Sequence, residues 1–146
     1  MQVTDVRVKL TPPSKDRLLG FCTLTLDGAF VVRDIKIIEG PNSLFVAMPS
    51  RKLMDHCPSC ASKNHLRARF CNQCGGALNE NRHARPNDTR VKLHSDVAHP
   101  INATSRAMIQ TAVLNAFQAE LERSKQPNYV PHRLDDTVED LEVVNG

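Results

Sequence analysis

The chain has 146 residues, a length that accommodates one domain or one domain with a small insert. It contains no tryptophan, and no apolar run approaches the roughly 18 residues that a membrane span requires. The N-terminal segment MQVTDVRVKL also lacks the apolar core of a secretory signal peptide. These features predict a cytoplasmic protein in which cysteines remain reduced.

The formal net charge of +3 conceals an asymmetry along the chain. From residue 126 onward five acidic residues stand against one arginine, whereas residues 51–92 contain nine basic residues and three acidic ones. The acid-rich end, which also contains Pro127 and Pro131, predicts a mobile tail over residues 126–146. The basic segment favours a partner that carries negative charge.

The N-terminal third predicts four β-strands joined by short turns. Apolar and polar residues alternate in the first strand, and Asp27-Gly28 is typical of a two-residue hairpin turn. The predicted strands cover residues 3–10, 18–26, 29–38 and 44–48. Because every connection is too short to hold a crossover helix, the strands should form an antiparallel meander.

After Pro49 the strand pattern stops, and residues 57–74 read CPSCASKNHLRARFCNQC. Cys57 and Cys60 form one CxxC pair, and Cys71 and Cys74 form a second pair ten residues later. Each pair can turn two thiolates toward one metal ion, so the two pairs complete the tetrahedral sulfur shell that zinc prefers. The pattern predicts one structural Zn²⁺ per chain, with no open position for a catalytic water.

A pair of disulfides and a redox-active CxxC are the other interpretations of these cysteines. Disulfides need an oxidising compartment, and a redox CxxC occurs singly at the start of a helix. His56 and His65 are close enough to substitute as ligands, but we expect them on the surface. Leu66 and Phe70 are predicted to form the small apolar core beside the metal. Cys22, in an apolar strand, is predicted to be a buried and inert thiol.

Strand-like alternation resumes at residues 90–93, and a helix follows with Asn102 or Thr104 as its cap and an end near Lys125. Its apolar residues recur at helical spacing: Ile109, Ala112, Val113, Ala116, Phe117 and Leu121. The predicted fold class is α+β, a small antiparallel meander sheet with a packed C-terminal helix. Residues 1–52 and 90–125 should form this domain, interrupted at 53–89 by a zinc ribbon with a polar linker.

The segments on either side of the insert resemble the SpoVG family of bacterial septation and sporulation regulators. The matching segments are VTDVRV, LTLDGAFVVRDIKIIEG and LFVAMPSRK before the insert, and DVAHPINATSR and IQTAVLNAF after it. The resemblance implies that the protein is a homodimer. It also implies a regulatory protein that binds DNA or RNA and is not an enzyme. In such relatives the loop after AMPS is short and basic, whereas here it begins with Arg51 and Lys52 and then accepts the whole cysteine module.

Six basic residues are the candidate contacts for nucleic acid. Lysine and arginine side chains that neutralise phosphates release counterions and so give affinity that does not depend on sequence. The candidates are Arg51, Lys52, Lys63, Arg67, Arg69 and Arg106. Arg106 matches the arginine that follows HPIN in the family, in the first helical turn, where backbone amides favour a phosphate. Arg67 and Arg69 could instead screen the charge of the thiolates.

Catalysis finds little support in the sequence, since it has neither a nucleophile elbow nor a phosphate-binding loop. Asp96 near His94 and His99 is explained more simply by a strand-to-helix junction than by an acid–base site. The competing hypothesis is a protein-interaction adaptor whose zinc ribbon docks a division or transcription partner. Counterion release predicts a steep loss of binding with salt, and an apolar protein interface does not.

Overall fold

The computed structural model of the protein describes residues 1–13, 16–83 and 92–134. The chain forms two compact units, a sheet unit (Met1–Pro49 and Ala98–Gly146) and a cysteine unit (Ser50–Val97). The cysteine unit is wider than the predicted insert at 53–89. It is wider because residues 50–52 pair with residues 94–96 instead of continuing the large sheet.

The sheet unit contains a four-stranded antiparallel sheet, which confirms the predicted meander. Its strands are β1 (Val3–Leu10), β2 (Leu18–Leu26), β3 (Phe30–Glu39) and β4 (Leu44–Ala47), and they lie in the order β1-β2-β3-β4. The β2–β3 hairpin turns at Asp27 and Gly28, with φ angles of 51° and 62°. The Ala29 amide donates to the Leu26 carbonyl at 2.9 Å, as expected of a type I′ turn.

A bulge in β3 keeps two apolar residues on the same face of the sheet. Val32 and Ile35 are an odd number of residues apart, so regular alternation would place them on opposite faces. The register with β2 shifts between Cys22 and Leu24, and Asp34 takes a positive φ of 62° at this point. The extra residue restores the phase, and both Val32 and Ile35 are buried.

Helix α1 (Ala103–Ser124) packs on this sheet. The Asn102 side chain caps it by accepting a hydrogen bond from the Ser105 amide at 2.8 Å, so the cap is Asn102 and not Thr104, the other predicted candidate. One stripe of the helix is buried against the sheet, and the shared core consists of Val8, Cys22, Leu24, Val32, Ile35, Ile37, Ile109, Val113 and Phe117. Among the described residues, no helix has both the length and the apolar character needed to cross a membrane.

Cys22 lies in the middle of that core and is fully buried. Burial, and to a lesser extent the charge of Asp5, raises the pKa of the Cys22 thiol to about 12. The burial of Cys22 is confirmed, and the raised pKa disfavours the thiolate, which is the reactive form of cysteine.

The segment that follows α1 is tied to the helix through the buried carboxylate of Glu120. Arg123 donates to this carboxylate at 2.8 and 3.1 Å, and the Tyr129 hydroxyl donates to it at 2.7 Å. Arg123 also donates to the Val130 carbonyl at 2.9 Å. Residues 126–134, assigned from sequence to the acidic tail, therefore contact the helix. Residues 135–146 of that predicted tail lie outside the described residues.

The cysteine unit is built from two small antiparallel pairs of strands. β5 (Ser50–Lys52) pairs with β8 (His94–Asp96), and β6 (Met54–His56) pairs with β7 (Lys63–His65). The sequence missed β5, and it placed the returning strand at 90–93, which ends directly before β8. Residues 90 and 91 of that prediction lie outside the described residues.

Candidate metal centre and basic surface

Each CxxC pair forms a tight turn, and the two turns have the same hydrogen bonds. The amide of Cys57 donates to the Ser62 carbonyl at 2.8 Å, and the amide of Cys71 donates to the Gly76 carbonyl at the same distance. The carbonyls of these two cysteines accept from the residues four positions later, at 2.8 and 3.0 Å. This repeated geometry turns both cysteine side chains of each pair toward the other pair.

The four cysteine sulfurs meet at one point, as the spacing predicted. The Sγ atoms of Cys57 and Cys74 are 3.8 Å apart, those of Cys60 and Cys71 are 3.5 Å apart, and all four lie within 4.8 Å of one another. A tetrahedral ion with metal–sulfur bonds of about 2.3 Å would place its ligands about 3.8 Å apart. The arrangement can therefore hold one metal ion.

Backbone amides point at the sulfurs from both turns. Ser59 donates to Cys57, Gln73 and Cys74 donate to Cys71, and Gly76 donates to Cys74, with N–S distances of 3.4 or 3.5 Å. Such donors stabilise thiolates, which are the form that binds metal. The surrounding backbone is thus arranged for negatively charged sulfur.

The hydrogen bonds around the sulfurs give the cysteines different pKa values. Hydrogen bonds from the Cys74 amide, from Asn64 and from the Gln73 amide lower the pKa of Cys71 to about 6. The Gly76 amide acts to lower the pKa of Cys74, but hydrogen bonds with the other three sulfurs raise it to about 11. The two cysteines therefore differ in how readily they form thiolates, and a cation among the four sulfurs would favour the fully ionised set.

Asn64 contacts the cysteine cluster, a role that the sequence did not indicate. Its side chain is buried, donates to the Cys71 sulfur at 3.4 Å and accepts from the Asn72 amide at 2.8 Å. One side chain therefore orients a sulfur and fixes the turn that carries it. Asn64 lies in β7 next to the exposed His65, and no local sequence pattern marks it as a residue that supports a sulfur.

The apolar residue beside the metal site is Leu78, not Phe70. Leu78 is buried with Cys57 and Cys71, whereas Phe70 is 65% exposed. Leu66, the other residue predicted for this core, is half-buried and does not belong to the cluster. The prediction for Phe70 was wrong because the residue precedes Cys71 in an extended hairpin opposite Ala77. Since successive side chains point to opposite faces, turning Cys71 inward turns Phe70 outward. His56 and His65 are exposed, as expected.

Arg82 fastens the cysteine unit together and is the second feature that sequence reasoning missed. Its guanidinium donates to Asp55 at 2.7 Å and to the carbonyls of His65, Ala68 and Asn79 at 2.9–3.0 Å. Arg82 first of all, with further help from His83, holds the pKa of Asp55 below its usual range, although burial opposes this. The guanidinium group of Arg82 has five N–H donors, which allows it to bind a carboxylate and several carbonyls at once. No local pattern identifies it, because all its partners except Asn79 are distant in sequence.

The candidate basic residues occupy several elements. Arg51 and Lys52 lie on β5, Lys63 lies on β7, and Arg67 and Arg69 lie between β7 and the second cysteine pair, where all five are exposed. Arg69 pairs with Glu80 at 3.2 Å. The other four form no ion pair with another residue in the described ranges. Arg106 belongs to the sheet unit and is exposed in the first turn of α1.

Fold and site together define a small antiparallel α+β domain that carries an inserted four-cysteine unit able to hold a metal ion. A family model described as SpoVG matches residues 1–119, and the chain belongs to the SpoVG family. Similar proteins carry the description "Putative septation protein SpoVG". The one from Bdellovibrio bacteriovorus is 35% identical over 83% of this chain and 77% of its own length.

Two further relatives have the same description. The protein from Desulforudis audaxviator is 38% identical and aligns over 81% of this chain and 92% of its own. The protein from Finegoldia magna is 33% identical over 90% of this chain and 87% of its own. The family and its link to septation proteins, which the sequence segments suggested, are thereby confirmed.

Proposed function

We propose that this SpoVG-family protein is a cytoplasmic, non-enzymatic regulator of the septation type that binds nucleic acid and holds one structural Zn²⁺. The observation that carries the proposal is the set of exposed cations in the cysteine unit that pair with no carboxylate in the described ranges: Arg51, Lys52, Lys63 and Arg67. Cations in fixed positions bind phosphates at a lower entropic cost than cations on a free loop.

Zinc fits the donor set better than a hard cation would. Four sulfurs within 4.8 Å of one another, each pair supported by amides, are typical of zinc or iron, while magnesium and calcium prefer oxygen. With four protein ligands the ion has no open position, so its role would be to hold the ribbon in shape. Elemental analysis of the purified protein distinguishes zinc from iron.

The metal also explains how the ribbon could present its cations. Lys63 and Arg67 lie within the loop that the four ligands close, between Cys60 and Cys71. In the described part of the unit, the buried apolar cluster beside the site consists of Leu78 and the two cysteines Cys57 and Cys71. Without the ion this loop would have little else to fix the positions of its charges.

The proposal is tested by the salt dependence of binding to short DNA and RNA. In the full chain, the double variant Arg51→Ala with Lys52→Ala should bind more weakly. The slope of log affinity against log salt should become shallower by roughly 0.7–0.9 for each phosphate that is no longer neutralised. The pair Lys63→Ala with Arg67→Ala should act in the same direction, and both variants should retain the metal.

A matched control is the pair Lys9→Ala with Lys36→Ala, two exposed lysines on the large sheet. It removes the same charge from the sheet unit and should leave the salt slope unchanged. If neither the Arg51/Lys52 variant nor the Lys63/Arg67 variant changes the salt slope more than this control does, the cysteine unit does not contact phosphates. In that case the adaptor hypothesis would replace the proposal.

A further inference from the structure

A pocket of about 310 Å³ lies within the cysteine unit, and none of its lining residues is one of the four cysteines. Such a volume is at the lower end of the range for small-ligand sites, roughly 300–1,000 Å³. Its lining residues come from two places, the β5–β8 pair and the turn after β7, and they are Lys52, Leu53, Leu93, His94, His65, Leu66, Arg67 and Ala68. The pocket can accept a side chain or two, but not a folded domain.

Both walls of this pocket are fixed by hydrogen bonds. On one side the Leu53 amide donates to the Leu93 carbonyl at 2.7 Å. On the other side Arg82 holds the carbonyls of His65 and Ala68, at 3.0 and 2.9 Å. A preformed pocket binds its ligand without the cost of ordering the walls.

The lining combines aliphatic surface with positive charge and contains no carboxylate. Leu53, Leu66, Leu93 and Ala68 supply apolar surface, while Lys52 and Arg67 supply two permanent charges. A matching ligand therefore needs aliphatic side chains and several negative charges close together.

One segment of the chain has this composition. Residues 135–146 read DDTVEDLEVVNG, with five acidic residues interleaved with Val138, Leu141, Val143 and Val144. This segment lies outside the described residues. We propose that the pocket binds the acidic segment 135–146, from whichever copy of the chain supplies it, with an aliphatic side chain in the pocket and carboxylates at Lys52 and Arg67.

The lining favours a peptide over a nucleobase. It has no aromatic ring on which a base could stack, apart from two imidazoles, and aliphatic side chains such as leucine match an aliphatic guest. The inference does not depend on nucleic-acid binding. If both hold, the acidic segment and phosphates compete for Lys52 and Arg67, and the segment acts as an internal competitor.

The test uses methyl NMR spectra of the full chain with its metal content checked. A variant with Asp135→Asn, Asp136→Asn, Glu139→Gln, Asp140→Asn and Glu142→Gln should shift the methyl signals of Leu53, Leu66 and Leu93. The core methyls of Val8, Ile35 and Val113 should stay in place. Adding a peptide of residues 134–146 to this variant should return the three leucine signals toward their wild-type positions.

Two matched controls separate pocket binding from diffuse charge attraction. Arg67→Glu should weaken peptide binding by roughly three- to tenfold, whereas Lys63→Glu, an exposed ribbon cation outside the lining, should change it by no more than about twofold. A peptide with Val138→Ser, Leu141→Ser and Val143→Ser keeps every charge and should lose most of its affinity.

Three results would overturn the proposal. They are unmoved leucine methyls, equal effects of the two charge reversals, and equal affinity of the serine-substituted peptide. A single-stranded oligonucleotide that shifts these methyls while the peptide does not would assign the pocket to nucleic acid instead.

Discussion

Ala61 and Gly75 occupy equivalent positions in the two cysteine turns, and both have a positive φ, of 64° and 75°. Each residue lies four positions after the first cysteine of its pair and donates its amide to that cysteine's carbonyl. Glycine adopts this conformation freely, whereas alanine incurs a steric penalty of about 1–2 kcal/mol. The first turn is therefore strained where the second is not.

Replacing this alanine should tighten metal binding. Ala61→Gly removes the steric penalty but adds chain entropy to the unfolded state, so we expect a net gain of about 0.5–1 kcal/mol. That gain corresponds to roughly two- to fivefold higher affinity in a chelator competition assay. Gly75→Ala should weaken binding by a similar amount, and purely through its backbone, since an added Cβ would meet nothing within 4 Å.

Gly28→Ala is the control for this pair. Gly28 also has a positive φ, 62°, and open space around it, but it lies in the β2–β3 turn. It should lower the stability of the sheet unit and leave metal affinity unchanged. Equal metal affinity in Ala61→Gly and wild type would show that the turn tolerates alanine without strain.

Removing the metal should unfold the ribbon and spare the large sheet. A strong chelator, or Cys57→Ser, should abolish the hydrogen-exchange protection of residues 57–78, because little apolar core would remain there. Amides of β2 and β3 should keep their protection, since their core lies entirely within the sheet unit. A metal-free protein with a protected ribbon would refute this prediction, as would unchanged metal content in Cys57→Ser.

Arg82 should matter as much as a metal ligand for the shape of the ribbon. Arg82→Ala leaves three backbone carbonyls without their donor and leaves Asp55 with His83 alone, and we expect it to destabilise the cysteine unit by about 2–3 kcal/mol. Chelator should then extract the metal at lower concentration. Arg69→Ala removes an arginine that is paired with Glu80 but exposed, so it serves as the control and should have an effect below about 1 kcal/mol.

The contact between α1 and the following segment should respond to acid. The pKa of Glu120 lies below its usual value of 4.5, because Arg123, Tyr129 and His132 outweigh its burial. A depressed pKa stabilises the folded state above pH 4.5, and this contribution is lost as the pH falls through the lower folded value. Tyr129 is the only tyrosine and tryptophan is absent, so intrinsic fluorescence reports on this contact alone.

The same hydroxyl gives a second, alkaline transition. Burial and the Glu120 hydrogen bond raise the pKa of Tyr129 above 10, so its stabilising contribution is present below pH 10 and disappears as the pH passes the raised value. Glu120→Gln should remove the acid transition and move the phenol pKa back toward 10. An acid fluorescence change that persists in Glu120→Gln would assign the transition to another group.

We expect the protein to be a homodimer through its sheet unit. A sheet of four strands leaves two edge strands, and Phe45 on β4 is 45% exposed, so part of this small domain lacks cover. Light scattering at micromolar concentration should give twice the chain mass, before and after metal removal. A monomer in the metal-bound state would contradict the prediction, and dissociation on chelation would move the interface to the cysteine unit.

The fold of the sheet unit was accessible from sequence because its signals are local. Alternation predicted the ends of β1 and β2, Asp27-Gly28 predicted the hairpin, and the capping residues Asn102 and Thr104 limited the start of α1 to two positions. The β3 bulge was not accessible, since nothing around Asp34 marks an inserted residue. The hydrogen bond between Tyr129 and Glu120 was also missed, because the acid-rich composition after Pro127 predicted a mobile tail and not a specific contact.

The cysteine cluster was predictable because metal binding demands a particular residue type at a fixed spacing. The rest of the cysteine unit was not, because its stability depends on one arginine and one asparagine that reach distant partners. Phe70 illustrates the limit, since hydrophobicity suggested burial while the inward turn of Cys71 decided its direction. Three-residue strands such as β5 and β8 are also too short to produce a recognisable period.

The pairing of Ser50 with Asp96 brings the entrance and exit of the cysteine unit side by side. A segment whose two ends are adjacent can be spliced into a surface loop without stretching the host, so its acquisition requires no redesign of the recipient fold. We therefore expect the cysteine unit to be transferable to another protein as one segment. Residues 50–97, grafted into a β-hairpin turn of an unrelated protein, should carry their metal site with them.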